Sequence, residues 1–483
     1  MKSVRTSLAF SLADSYLSVA LQLASTLILS RLLTPTETGI FAVAAVLTAL
    51  ASTFRDFGVA EYLIQEKDLT TEKIRAAFAA NIMVSWLMAA LMFFSSAAVA
   101  DFYQQPGVAD VMHIQAINFL LIPFGAVTMA YFRRQLNYRP IFVASLLANI
   151  TSFVVAVAGA LAGFSYLSLA WAGLAGVVVT VGVSVIARPK DFPSWPSFRG
   201  MSPVVRFGKH ALGIYFFGQI GRSAPEAVIG RALDMASVAF FSRANGLMEI
   251  FNRSVLRAAI PICLPYFAQE RRAGQRTATG YLKATTLLTG IGWPFFIYIG
   301  FIAYSAIRLL YGGQWMPAVP LAKILCLVAV LELPYWLAAE VMIAEGRVDQ
   351  SNKLQFLVQG MRLASLALVF PFGLPGACWG LAVAALGGAV TSHRFLHQII
   401  GLRFNEVVRA CLPSAAVAIV AASPSLLVAL FIEQTEANYL AVFMGCSLTT
   451  GLVWLLALKV CNHPFWAEVL LIVDKLRNTP RRA

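Results

Sequence analysis

Arg222, Glu226 and Arg231 lie within ten residues of one another in YFFGQIGRSAPEAVIGRAL (215–233), a stretch that is otherwise almost wholly apolar. A charge at the centre of a membrane helix costs roughly 2.5–3.5 kcal/mol, so each such residue implies a partner, a wet cavity or a ligand. Successive helix positions turn by about 100°, which puts Tyr215, Gln219, Arg222 and Glu226 on one stripe. Arg222 and Glu226 form an i, i+4 pair that can partly neutralise itself. A second stripe, Arg243, Glu249, Arg253 and Arg257, follows over 236–258. Arg222, Arg243 and Arg253 outnumber the nearby carboxylates Glu226 and Glu249. Guanidinium groups stay charged and grip phosphate oxygens bidentately, so an excess of them facing water suits an anionic ligand such as a diphosphate. The competing explanation is packing, with ion pairs fixing helix positions; it is strongest for Glu226 and Glu249. Arg257, near a helix boundary, fits snorkelling to the interface.

Carboxylates in apolar sequence raise a second kind of chemistry, the carriage of H⁺ or Na⁺. Asp14 lies on a stripe with Ser11, Ser18, Gln22 and Ser25, and it joins Glu226 and Glu249 as a candidate for ion coupling. A hydrogen-bonded Asp14 among serines explains the same pattern. Glu332 and Glu340 are weaker candidates of this kind. Arg55 and Asp56 sit together at the end of a span, and Arg31 and Arg231 stand at helix ends, where gate or interface roles are expected. His393 and His397 have the i, i+4 spacing of a metal pair, but no third ligand stands out, and no metal or cofactor is expected. The six cysteines are scattered as small core residues. No GxxxxGK[ST] loop is present, which removes intrinsic ATP hydrolysis.

The elements that must hold these residues follow from composition. Of 483 residues 59% are hydrophobic and 12% charged, whereas a soluble chain is about a quarter charged. Apolar runs of the length that crosses a ~30 Å hydrocarbon core recur from end to end. They lack the alternation of barrel strands, so the expected fold is an all-α, polytopic membrane protein. Fourteen spans are expected at about 8–31, 39–63, 76–100, 111–131, 141–162, 167–187, 211–233, 236–258, 284–310, 319–344, 354–373, 375–398, 408–432 and 438–459. The basic start reads as a retained first helix. Loops on one side are basic, while TPTETG, DFYQQPGVAD, GFSY, FPFGLPG and FIEQTEAN on the other contain no Lys or Arg. The positive-inside rule puts both termini in the cytoplasm. The +14 net charge then serves orientation, and no nucleic-acid partner is called for. YGGQWMPAVP (311–320) resembles an amphipathic segment along the periplasmic surface, and Trp315 is either an interface anchor or packing.

A shift of 200 residues lays SRLLTPTETGIFAVA (30–44) over GRALDMASVAFFSRA (230–244), matching Arg31 with Arg231, Leu33 with Leu233 and Phe41 with Phe241, and placing Gln22 over Arg222. The seventh and eighth spans thus look like copies of the first two. The expected organisation is a six-helix lobe over 1–187, a cytoplasmic linker over 188–210, a second six-helix lobe over 211–400, and two further helices with a basic tail over 401–483. Repeats of this kind place a substrate site between lobes that rock against each other.

SRLLTPTETGIFAVAAVLTALASTFRDFGVAEYLIQEKDLT (30–70), a GRAL junction followed by AFFSRAN (239–245), and a 6+6+2 layout resemble the polysaccharide transporter branch of the multidrug/oligosaccharidyl-lipid/polysaccharide exporter superfamily. The resemblance implies a V-shaped bundle with a cationic central cavity in a bacterial inner membrane. It implies a flippase, and no enzyme, that moves undecaprenyl-diphosphate-linked oligosaccharide from the cytoplasmic to the periplasmic leaflet by alternating access. Lipopolysaccharide or exopolysaccharide assembly is the implied setting, with a polysaccharide polymerase and export machinery as partners and the flippase itself a monomer coupled to H⁺ or Na⁺. Head-group binding is assigned to Arg222, Arg243, Arg253, Gln219 and Gln22. Two alternatives stand beside it: an ion-coupled multidrug antiporter of the same fold, which would want a more apolar or acidic cavity, and a membrane polysaccharide polymerase, which would want a sizeable catalytic external loop.

Overall fold

Long apolar runs can satisfy their backbone in lipid only by closing it on themselves as helices, and every regular element among the described residues is helical. A computed structural model describes residues 2–477 except 57, 191 and 194, and leaves out the side chains of 2–9, 12, 56, 61, 203, 205–218, 222, 257, 258, 368–370, 472, 473 and 475–477. The chain divides into two compact units, residues 1–239 and 240–483.

The first unit contains α1 (Lys2–Leu32), α2 (Pro35–Asp56), short α3 (Val59–Gln65), α4 (Thr71–Tyr103), α5 (Gly107–Leu121), α6 (Pro123–Arg134), α7 (Tyr138–Leu161), α8 (Leu167–Ile186), α9 (Met201–Ala232) and the start of α10 (Met235–Phe251). Helix α1 packs on α7, α7 on α8, and α2 on α5 and α9. The second unit holds the rest of α10, a π-helical turn at Asn252–Leu256, α11 (Arg257–Arg272), α12 (Thr277–Phe301), α13 (Ala303–Leu310), α14 (Ala318–Glu332), α15 (Ala338–Ala344), α16 (Val348–Val369), α17 (Gly373–Ile400), α18 (Phe404–Phe431), α19 (Tyr439–Val460) and α20 (Pro464–Arg477). Here α12 packs on α18, α16 on α17, and α18 on α19.

Ten described helices are long and apolar enough to cross a membrane, and the bent pair α5–α6 makes an eleventh. The chain is a multi-pass membrane protein. The expected spans at 211–233, 236–258 and 354–373 are helical as α9, α10–α11 and α16, but fall outside that count. These are helices that carry intramembrane charge, including Glu226, Arg243, Glu249, Arg253 and Arg362, and polar residues dilute their hydropathy. The expected span at 39–63 is two helices, because Gly58 takes a left-handed φ of 64° between α2 and α3.

The 200-residue repeat reappears in the backbone. Helices α1 and α9 end at 32 and 232, and α2 and α10 start at 35 and 235. The new helix is capped from the equivalent position in both: Thr34 pairs reciprocally with Glu37 (2.7 and 3.3 Å), and the Asp234 carboxylate accepts from the Ser237 N–H at 2.7 Å. A Cβ built on Gly39 of α2 would lie 1.7 Å from the Met235 carbonyl oxygen. Only glycine allows that approach of one helix to the start of another.

At the C-terminus, Asn462 adopts φ 46° and turns the chain from α19 into α20. His463 is buried there. Its Nδ1 accepts from the Phe465 N–H at 3.1 Å, and its Nε2 lies 3.0 Å from the Ser414 hydroxyl. Burial lowers the imidazole's affinity for a proton below the ordinary value of 6.5.

Two outcomes are expected. Gly39→Val forces α2 off a backbone carbonyl and costs about 1–3 kcal/mol, read as a lower Tm in detergent, whereas Gly182→Ala, where a Cβ meets nothing within 4 Å, leaves Tm unchanged. For His463 the unfolded chain binds the proton more readily, so stability falls as pH drops below 6.5. The Tm of the wild type should therefore fall more steeply between about pH 7 and 5 than that of His463→Gln.

Candidate functional site: arginines within the helical units

Within the first unit, the end of α2, α3, α4 and α6 enclose an open cavity of about 330 Å³. That is near the lower end of ligand-pocket sizes. Its walls are mainly small and apolar, with three polar groups: Arg55 from α2, Asn81 from α4 and Arg133 from α6. The Arg55 guanidinium sits 5.5 Å from the centre of the Phe119 ring, a cation–π contact that fixes its plane without removing its charge. Arg133 is exposed, and the adjacent Arg134 turns the other way. Arg134 donates to the Leu63, Ile64, Glu66 and Lys67 carbonyls at 2.5–3.2 Å. It thereby satisfies the open end of α3, one wall of the cavity. The Lys73 ammonium, 3.0 Å from the Glu66 carboxylate, holds that carboxyl below its ordinary proton affinity.

The second unit encloses Arg243 in aromatic rings. Its guanidinium carbon lies 5.4 Å from the Tyr311 ring centre and 4.9 Å from that of Trp315. Trp315 is fully buried and also meets Phe240 edge-on at 6.1 Å. The Arg243 Nε is closed off from solvent with no hydrogen-bond partner. YGGQWMPAVP is therefore not a surface strip at its tryptophan: the Gly312 φ of 101° turns Trp315 inward beneath Arg243. Ten residues further on, Arg253 pairs with Glu249 at 3.6 Å, and Asn252 donates to the same carboxylate at 3.0 Å. Arg253 and Asn252 lie in the π-turn, which displaces side chains from the regular α-helical stripe.

The other expected site residues are distributed as follows. Gln219 donates to the Ser223 hydroxyl at 2.9 Å, and Glu226 is half-buried on α9. The Arg222 and Asp56 side chains lie outside the described residues. Gln22 is exposed on α1. Asp14 packs with Ser18, Phe142 and Asn149 in a crevice with no room for a water, and Asn149 donates to Ser18 at 2.9 Å. The Arg31 guanidinium donates to the Leu27 carbonyl of its own helix at 2.7 Å, and Arg231 stacks over Phe102 at 5.2 Å. The structure brings Arg55 and Arg133 to one cavity, and Glu249 and Arg253 to one ion pair. The His393 and His397 rings stack, and among the described residues no group of three metal-ligating side chains assembles.

Residues 28–320 match the family described as polysaccharide biosynthesis proteins. The chain belongs to that family. The matched stretch takes in the Arg55 cavity and the Arg243 cradle. Among curated relatives, the chain is 24% identical over 480 residues to the teichuronic acid biosynthesis protein TuaB of Bacillus subtilis (strain 168), covering 94% of this chain and 95% of that one. It is 26% identical over 329 residues to the succinoglycan biosynthesis transport protein ExoT of Rhizobium meliloti (strain 1021), covering 68% and 66%. In fold it is similar to the inward closed conformation of the lipid II flippase MurJ, with a TM-score of 0.77 at 13% identity over 96% of this chain and 100% of that one.

Two site features of this family member escape the stripe argument. Asn81 and Arg133 were assignable only to a span and a loop, because their meeting with Arg55 depends on α6 folding back on α3. Arg362 does carry a visible signal, as the one charge in LVQGMRLASLALVF (357–370). It forms an ion pair with Glu332, each side chain being about a quarter exposed (24% and 21%). Removing one partner of such a pair strands the other, at about 3 kcal/mol or more. Arg362→Leu alone should therefore lower Tm more than the double variant Arg362→Leu, Glu332→Leu, as read by thermal unfolding in detergent.

Proposed function

We propose that the protein is a flippase for undecaprenyl-diphosphate-linked oligosaccharide, moving it from the cytoplasmic to the periplasmic leaflet of a bacterial inner membrane. The observation that carries this reading is the pairing of Arg55 and Arg133 across a cavity of about 330 Å³ within a membrane-helix unit. A diphosphate carries charge that two guanidinium groups and an amide can bind without a metal. The cavity's small apolar walls lower the local dielectric and strengthen those contacts. By the distribution of basic loops, the cavity opens toward the cytoplasm, the side on which a lipid-linked precursor would be loaded.

The names of relatives support the cargo class. ExoT is a transport protein of succinoglycan biosynthesis, and TuaB belongs to teichuronic acid biosynthesis. A fold similar to that of a lipid II flippase suits a polyprenyl-linked cargo. In this mechanism the sugars and diphosphate cross through a wet path while the polyprenyl tail stays in lipid. Arg55 and Arg133 take the diphosphate during alternating access, and Arg222, Arg243 and Arg253 are the further head-group candidates. The arginine excess argues against a cavity for cationic drugs. The protein acts as a transporter with no catalytic step of its own, both termini in the cytoplasm, and works as a monomer beside polymerase and export components.

The test is a deletion strain. Undecaprenyl-linked oligosaccharide should accumulate on the cytoplasmic face; if it does not, the flippase reading is wrong, and accumulation of a cationic dye would point to an antiporter. Complementation with Arg55→Ala, Arg133→Ala should restore export at least about tenfold less well than wild type, as expected from losing charge-assisted bonds worth roughly 1.5–3 kcal/mol each.

A further inference from the structure

Between the end of α8 at Ile186 and the start of α9 at Met201, the chain forms no regular element. The segment is nevertheless held in place along its length. Phe192 is buried in the core that contains Val59, Leu63 and Val127, and its ring meets that of Tyr131 at 5.1 Å. The Arg188 guanidinium lies 5.3 Å from the centre of the same ring and donates to the Phe124 carbonyl at 2.8 Å. Further on, the Ser197 N–H donates to the Arg75 carbonyl at 3.2 Å, and the Ser197 hydroxyl accepts from the Arg199 N–H at 3.3 Å. Pro193 and Pro196 flank Trp195 and restrict the backbone there.

Two large rings stand outside this bracket: Trp195 is 77% exposed and Phe198 74%. A backbone fixed at both ends leaves them no share in the core of their own unit, so their apolar surface points to something outside the chain. The neighbouring helix shows what that is. Val178, Val185 and Ile186 of α8 are exposed, Ile186 at 86%, and such a surface on a spanning helix faces lipid. The rings continue that surface past the end of the span, where aromatic side chains favour the membrane–water boundary.

The charges beside the rings select the lipid. Residues 188–200 carry Arg188, Lys190 and Arg199 against Asp191. Lys190 and Arg199 are exposed, as is Arg75 beside Ser197. Glu72 is the acidic neighbour from α4, its carboxylate 4.0 Å from a Cβ built on Gly200. The balance is positive, which complements anionic phospholipid headgroups.

We propose that this linker docks on the membrane surface at the side of the basic loops, with Trp195 and Phe198 set among the lipids and Lys190 and Arg199 on the phosphates of anionic phospholipid. The same segment is rooted beside the candidate site, because Val59, Leu63 and Val127 belong both to the core around Phe192 and to the walls of the Arg55 cavity. Docking therefore holds those walls at a fixed depth relative to the headgroups. The inference stands independently of what the protein carries.

The test uses the full chain reconstituted in vesicles of phosphatidylcholine, alone or mixed with phosphatidylglycerol. The emission of Trp195 is taken as wild type minus Trp195→Phe. With phosphatidylglycerol present, that emission should shift to the blue, lose most of its quenching by acrylamide and be quenched by brominated acyl chains. Phosphatidylcholine alone, or high salt, should weaken all three effects. The double variant Lys190→Gln, Arg199→Gln should lose the phosphatidylglycerol dependence with Tm unchanged, since both side chains are exposed. Equal acrylamide quenching in detergent and in both kinds of vesicle leaves the ring in water and overturns the proposal. Equal protection in the two lipids overturns the assignment to anionic headgroups. Protection in native membranes that is absent from vesicles of lipid alone identifies a protein partner at the rings and overturns the lipid docking.

Discussion

Hydrocarbon offers a buried charge or an open helix end no water, so each must find a partner within the protein. Much of this structure follows from that constraint. The short helix α3, about two turns long, has its open carbonyls filled by Arg134. In the second unit, Arg271 donates to the Ala344 carbonyl at 2.9 Å and closes the end of α15 in the same manner. Basic residues near the ends of spans thus complete helix ends. One side chain can do so because its long aliphatic stem lets the guanidinium head reach several carbonyls at a helix end.

Aromatic rings extend the same logic. Arg55 rests on Phe119, Arg231 on Phe102, and Arg243 between Tyr311 and Trp315. A ring face attracts the cation without cancelling its formal charge, whereas an ion pair does cancel it. Arg362, tied to Glu332, instead braces α16 against α14.

Glycine and proline mark where helices approach or break. Gly39 lets α2 touch the start of α10, and Pro334 interrupts the span that carries Glu332 and Glu340. Two acids eight residues apart thereby enter different environments. Glu332 meets an arginine from α16, and Glu340 has one carboxylate oxygen closed off from solvent.

The all-helical membrane fold, most of the spans and the 200-residue repeat were legible in the sequence, because hydropathy and helix-junction chemistry are local properties. The family resemblance was legible as well, in part from the junctions at 30–44 and 230–244, where helices end at 32 and 232 and start at 35 and 235. Which charges meet was not legible. The angular count put Gln219 and Glu226 on one face, but it could not bring Arg133 to Arg55, seat Trp315 under Arg243, or distinguish Glu332 from Glu340. Those outcomes depend on how helices far apart in sequence pack, and on a π-turn and a 3₁₀ break that shift side chains off the ideal helical stripe. Periodicity fixes a residue's direction on its own helix; only tertiary packing supplies what stands opposite, and in a medium without water that partner decides what a charge can do.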